Sequence, residues 1–207
     1  MAKPTVNRRH FSHYLACLVM VSPVLHVAAQ SPALAPAASR IPAELGAFGQ
    51  AAAWQMQGTG ALRFFGFKAY DAYLWSVAPA RVNPLADKNL FALEIVYNTG
   101  IKADEIVNVS LVEMARLKRL TDLQIKTWTA DMQRTFPNVV SGDRLTGVYV
   151  PRVGTRFFLN ARLIAEINDP AFGDAFFAIW LDEGTKRPDL RRSLLALAPV
   201  AATATNN

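Results

Sequence analysis

Within eleven residues the chain places Arg63, Lys68, Tyr70, Asp71 and Tyr73, and Tyr97 follows later. A guanidinium and an ammonium can hold a carboxylate, and phenols can donate hydrogen bonds to it. Arg63, Lys68, Tyr70, Tyr73 and Tyr97 are therefore the candidate ligand-binding residues. Lys68, Asp71 and Tyr70 could instead move a proton. Each has a plainer explanation. Arg63 and Lys68 can lay aliphatic stems on a sheet and keep their charges in water. Asp71, like Glu94, can be paired with a cation. Tyr70, Tyr73, Tyr97 and Trp180 can be core with a satisfied polar tip.

These residues lie in or after the stretch GTGALRFFGFKAYDAYLW, residues 58–75. Its aromatic content suits pleated backbone, and it reads as two short strands joined near Gly66–Ala69. On the second, Ala69, Asp71, Tyr73, Trp75 and Val77 share one face, and Tyr70, Ala72, Leu74 and Ser76 the other. Neither face is fully polar, so both need cover.

The rest of the inventory excludes more than it suggests. Residues 1–29 read as an export signal. Lys3, Arg8 and Arg9 precede the apolar run Tyr14–Val27, which is too short to span a bilayer, and Val27-Ala28-Ala29 offers a cleavage site. Asn7-Arg8-Arg9-His10-Phe11 also resembles a twin-arginine signal. The expected location is periplasmic, with no stable membrane span once the leader is cut. The leader holds three of the 22 basic residues, so the net charge of +6 falls to +3. It also holds Cys17, the single cysteine, and His10, His13 and His26, all the histidines. The remainder has no thiol or imidazole for a disulfide, a cysteine nucleophile, a Ser-His-Asp triad, or a thiolate or imidazole metal site. No cofactor and no nucleic-acid partner is expected.

Residues 30–42 are rich in Ala, Ser and Pro and read as a disordered spacer, residues 43–197 as the folded domain, and residues 198–207 as a flexible tail. Ala52–Gln57 suggests a first strand, with Gly58-Thr59-Gly60 as a turn. Asn89–Asn98 is a strand with Phe91, Leu93, Ile95 and Tyr97 on one face. Lys102–Leu120 is a helix with an apolar stripe of Ile106, Val109, Leu111, Met114 and Leu117. Thr121 caps a second helix through Thr135, with Leu123, Ile125, Trp128 and Met132 as its apolar members. Leu145–Val150, Thr155–Asn160 and Arg162–Ile167 are strands, the last two a hairpin. Asp169 and Pro170 open a helix through Trp180 that is apolar nearly all round. Asp189–Leu197 is a short final helix, with Arg187, Arg191 and Arg192 on a solvated face. Strands, two helices, strands and two helices predict an α+β fold, an antiparallel sheet with helices on one face.

Phe67–Trp75 and Phe177–Leu181 resemble signature segments of the bacterial chalcone isomerase-like family. Thr135–Gly142, Gly142–Leu145, Pro170–Leu181 and Thr185–Leu195 extend the resemblance over about residues 54–197. It implies an open-faced β-sandwich, with a large antiparallel sheet, helices packed on one face and a ligand cleft between them. It does not imply the isomerase reaction. Aligned with the plant enzymes, Lys68 stands in place of a Thr, Ala103 of a Tyr and Ser110 of an Asn. The family's Arg falls near Met56, with Arg63 reachable only through a gap. Losing groups that orient substrate costs on the order of 10²-fold in rate each. Relatives without the isomerase set bind fatty acids through Arg and Tyr. The resemblance therefore implies a non-catalytic protein that holds a fatty acid or another long apolar molecule between sheet and helices. The alternatives are an isomerase or other proton-transfer enzyme acting on an enone-type substrate, and an interaction module with a filled core.

Overall fold

The computed structural model describes residues 41–49, 53–64, 66–77 and 83–197. The expected leader 1–29, most of the expected spacer and the expected tail 198–207 lie outside the described residues. Six strands form one open antiparallel sheet in sequence order: β1 (Gln55–Phe64), β2 (Phe67–Ser76), β3 (Phe91–Tyr97), β4 (Arg144–Val150), β5 (Gly154–Leu159) and β6 (Arg162–Ile167). Helices α1 (Ala103–Leu117) and α2 (Asp122–Thr135) connect β3 to β4. Helices α3 (Pro170–Leu181) and α4 (Pro188–Leu194) follow β6. All four pack on one face of the sheet, as the element order predicted. A 3-10 helix, Ala43–Phe48, covers part of the other face.

Strand alternation sorts the two faces as expected. Ala72 and Leu74 of β2, Phe91, Leu93, Ile95 and Tyr97 of β3, and Leu145 and Tyr149 of β4 join the core beneath the α-helices. Trp75, Ala92 and Val148, at the intervening positions, join Leu45, Trp54 and Phe158 in a second core on the opposite face. Burying one such side chain stabilises the fold by about 1.5–3 kcal/mol.

The turn expected at Gly58–Gly60 is continuous strand, and among the described residues no separate strand precedes it. β1 runs through both glycines with a register shift between Met56 and Gly58. Glycine is needed there because α4 lies on it. A Cβ at Gly58 would meet the Ser193 and Leu194 carbonyl oxygens at 2.2 and 2.4 Å, and one at Gly60 would meet Leu190 at 2.7 Å. The stripe of α1 also differs from expectation. Val107, Ser110 and Met114 are buried, and Val109 is exposed. Valines at 107, 109 and 112 satisfy overlapping helical periods, and periodicity cannot choose among them. On α2, Trp128, Met132 and Thr135 point inward, while Leu123 is exposed.

The caps follow the sequence. Thr121 forms a reciprocal capping box with Gln124. Asp169 accepts from the Ala171 and Phe172 amides at the start of α3, with Pro170 in the first turn. That helix is buried on most sides, through Phe172, Gly173, Ala175–Ala178, Trp180 and Leu181.

Candidate functional site

The space between the helices and the middle of the sheet is filled by rings. Phe91 stacks on Tyr149 at 5.0 Å between centroids and meets Phe177 edge-on at 4.9 Å. Phe157 meets Phe136 and Phe176 edge-on at 5.1 and 5.2 Å. Gly147 makes room for this cluster, because a Cβ there would meet Phe177 at 3.1 Å. The hollow expected under the helices is therefore occupied at its centre, and open space lies toward the edges.

One cleft, of about 350 Å³, is lined by Asn83, Leu85, Ala86, Lys88, Lys118, Asp174, Leu181 and Asp182. Its charges are already paired, Lys88 with Asp174 at 2.6 Å and Lys118 with Asp182 at 2.8 Å. Tyr149 also donates to Asp174, at 2.8 Å. Little charge is left to attract a ligand.

The second cleft, of about 230 Å³, lies between β1 and the start of α4. Ala61, Leu62, Pro188 and Leu190 give it an apolar lining, and Arg63, Lys186 and Arg187 bring three cations. The one carboxylate in its wall, Asp189, pairs with Arg192. Lys186 reaches out to Glu113 at 2.6 Å. Arg63 is exposed and has no ion-pair partner among the described residues.

Beside Leu62, as its register partner on β2, stands Tyr70. Its hydroxyl accepts from Trp180 Nε1 at 2.9 Å, and its ring meets Tyr97 edge-on at 6.2 Å. Burial pushes the Tyr70 phenol up from 10.0 to about 12, opposed by the Trp180 hydrogen bond and by the nearby Arg187 guanidinium. Burial also raises the Tyr97 phenol. Both are neutral donors across the physiological range.

The five sequence candidates are thus divided. Tyr70 and Tyr97 touch each other, and Arg63 lines the cleft, whose walls include neither phenol. The Lys68 ammonium ends on Asp71 at 2.8 Å, and Asn98 shares that carboxylate. Tyr73 packs at the margin of the second core, across the sheet. Asp71 and Glu94 are both paired with cations, Glu94 with Arg144 at 2.7 Å. The isomerase positions do not converge either, since Met56 faces the second core and Ser110 is buried on α1. Arg187, expected on a solvated face, lines the cleft instead. Arg191 also turns inward, donating to the Leu181 carbonyl at 2.9 Å. A hint was available in the run Lys186-Arg187-Pro188, where a proline fixes the first helical turn just after two cations.

The sequence pattern of the chalcone isomerase-like family matches residues 39–196. The chain belongs to that family. An uncharacterized protein of Haemophilus influenzae is 30% identical over 87 residues, 42% of this chain and 43% of that protein. The chain thus matches less than half the length of that relative. Among solved structures, an Arabidopsis thaliana fatty-acid binding protein superposes with a TM-score of 0.55 at 9% identity, covering 69% of this chain and 87% of that one. At that identity the likeness is one of fold. Within this chalcone isomerase-like fold, no group of three or more His, Cys, Asp or Glu among the described residues could hold a metal ion. No helix among them is long and apolar enough to cross a membrane.

Proposed function

We propose that this chalcone isomerase-like protein binds a small apolar anion, with a fatty acid as the first candidate, in the cleft between β1 and α4, and does not turn it over. The observation that carries the reading is the meeting of Arg63 and Arg187 over an apolar lining of Ala61, Leu62, Pro188 and Leu190, with Lys186 at the rim paired to Glu113. Cations at the rim of an apolar slot suit a carboxylate with a hydrocarbon tail. The fold it shares with a fatty-acid binding protein supports the same class of ligand. At about 230 Å³ the cleft is smaller than the roughly 300–1,000 Å³ usual for a ligand pocket. It accommodates the head group and the first carbons. A longer tail must part Leu62 from Leu190.

The residues aligned with the isomerase set support the absence of turnover. Lys68 is engaged by Asp71, and the methyl group of Ala103 offers no hydrogen bond to orient a substrate. We place the protein in the periplasm, after removal of residues 1–29. The N-terminal mass of the exported protein tests that placement.

The ligand test is an organic extract of the purified protein, followed by titration with palmitate. The expected result is bound fatty acid in the extract and saturable palmitate binding, weakened about tenfold in Arg63→Gln/Arg187→Gln. An empty extract from a protein that also refuses palmitate would defeat the reading. It would favour the interaction module, for which the ring-filled interface is the supporting observation.

A further inference from the structure

The sheet face turned away from the α-helices holds a second arrangement of the same general chemistry. Trp75, Ala92, Val148 and Phe158 form a buried apolar floor. Beside it, Glu94 of β3 lies opposite Thr146 of β4, and Val96 opposite Arg144. Both oxygens of Glu94 are satisfied within the sheet, one by Arg144 Nε at 2.7 Å and the other by Trp75 Nε1 at 3.1 Å. That leaves the outer guanidinium nitrogens of Arg144 and the hydroxyl of Thr146. They are turned to a second carboxyl, supplied by the 3-10 helix Ala43–Phe48. Thr146 Oγ1 donates to Glu44 Oε1 at 2.6 Å, and Arg144 Nη2 stands 3.7 Å from the same oxygen. The Glu44 side chain is fully buried, at 0% exposure, 102 residues away in sequence from the threonine that holds it.

The apolar side chains that follow Glu44 complete the likeness to a ligand. Leu45 is fully buried in the second core, and the Phe48 ring meets Phe158 edge-on at 6.1 Å. The helix therefore presents to the sheet a carboxyl group with hydrocarbon beside it. Its fit is incomplete. Among the described residues, Glu44 Oε2 is buried without a donor, and Trp54 Nε1, buried in the same core, is without an acceptor. A desolvated polar atom without a partner is a loss that folding does not recover. A carboxylate not tied to a backbone could turn both oxygens to Arg144 and Thr146, which is the stronger arrangement. The helix opposing it is six residues long and has no side-chain cap.

We infer that Arg144 and Thr146, with the floor of Trp75, Ala92, Val148 and Phe158, form a carboxylate-receiving site closed in cis by Glu44, and that an apolar carboxylate enters it when the 3-10 helix lifts. This site lies across the sheet from the β1–α4 cleft and does not depend on it.

The test is a titration of the full chain with dodecanoate, read by tryptophan fluorescence, since Trp75 lies in the floor. Glu44→Ala removes the closing carboxyl and should bind dodecanoate about tenfold more tightly than the native chain. Leu45→Ala loosens the helix while keeping Glu44, and it should gain in the same direction. Adding Arg144→Gln or Thr146→Val should erase either gain, and dodecanol should show none. Arg63→Gln weakens the other cleft only and should leave this gain in place. Equal affinities in the native chain and both helix variants would overturn the inference. So would a gain that survives Arg144→Gln and Thr146→Val, or one shared by dodecanol.

Discussion

The indole nitrogen of Trp180 donates to the hydroxyl of Tyr70 at 2.9 Å, joining α3 to β2 across 110 residues of chain. Tyr70→Phe removes the acceptor and leaves a buried N–H without a partner. The expected cost is about 1–2 kcal/mol, seen as a lower urea midpoint at unchanged slope. Trp180→Phe should cost more singly, because it also empties volume. The double variant should then cost less than the sum, since the second change removes a group already orphaned.

Every tyrosine outside residues 1–29 has its ionisation pushed upward by burial: Tyr70 to about 12, and Tyr73, Tyr97 and Tyr149 in the same direction. For Tyr149 the hydrogen bond to Asp174 adds to the rise, because a phenolate would face a carboxylate. The sign is that of a raised folded value. The stabilisation is complete below the unfolded value of 10.0 and is lost as pH rises through the folded value. For Tyr70 the window runs from about pH 10 to about pH 12. An absorbance titration of phenolate should therefore be delayed beyond pH 10 and then rise together with the loss of tertiary signal. In Tyr70→Phe the decline of stability between pH 10 and 12 should be shallower.

Gly58→Ala tests the seating of α4 on β1. The added carbon would sit 2.2 Å from the Ser193 oxygen, which is backbone and cannot rotate away. The expected loss is about 3 kcal/mol in denaturant unfolding, with weaker palmitate binding as the cleft between β1 and α4 loosens. Gly46→Ala is the control. Beyond its own helical turn, no atom of the described residues lies within 4 Å of its added carbon, so the expected change is within about 0.5 kcal/mol.

Asp169 has two roles at once. One oxygen caps α3 through the Ala171 amide at 2.9 Å, and the other accepts from Trp128 Nε1 of α2 at 2.8 Å. Asp169→Ala should cost about 2–3 kcal/mol, more than the roughly 1 kcal/mol of a cap alone. Asp169→Asn can keep the cap, but its amide N–H₂ cannot accept from the indole. Its loss should fall between native and alanine in thermal unfolding.

The alternation from Ala69 to Val77, the aromatic ring of α3 residues and the capping sequences at Thr121 and Asp169 were legible without coordinates. Each is set by neighbours within a few residues, where backbone geometry dictates which side chains share a face and which amides need a partner. The same local order showed that both faces of β2 need cover, and that no thiol or imidazole outside residues 1–29 was available for chemistry. It left three matters open. Gly58 and Gly60 read as a turn because glycine marks a turn and a close approach alike, and only the α4 backbone lying on them tells the two apart. Arg187 and Arg63 meet in one cleft because β1 and α4 pack together from opposite ends of the domain. Glu44 finds Thr146 and Arg144 by folding a short N-terminal helix onto the far side of the sheet. Such meetings depend on the packing of whole elements, and no spacing within a strand or helix encodes them.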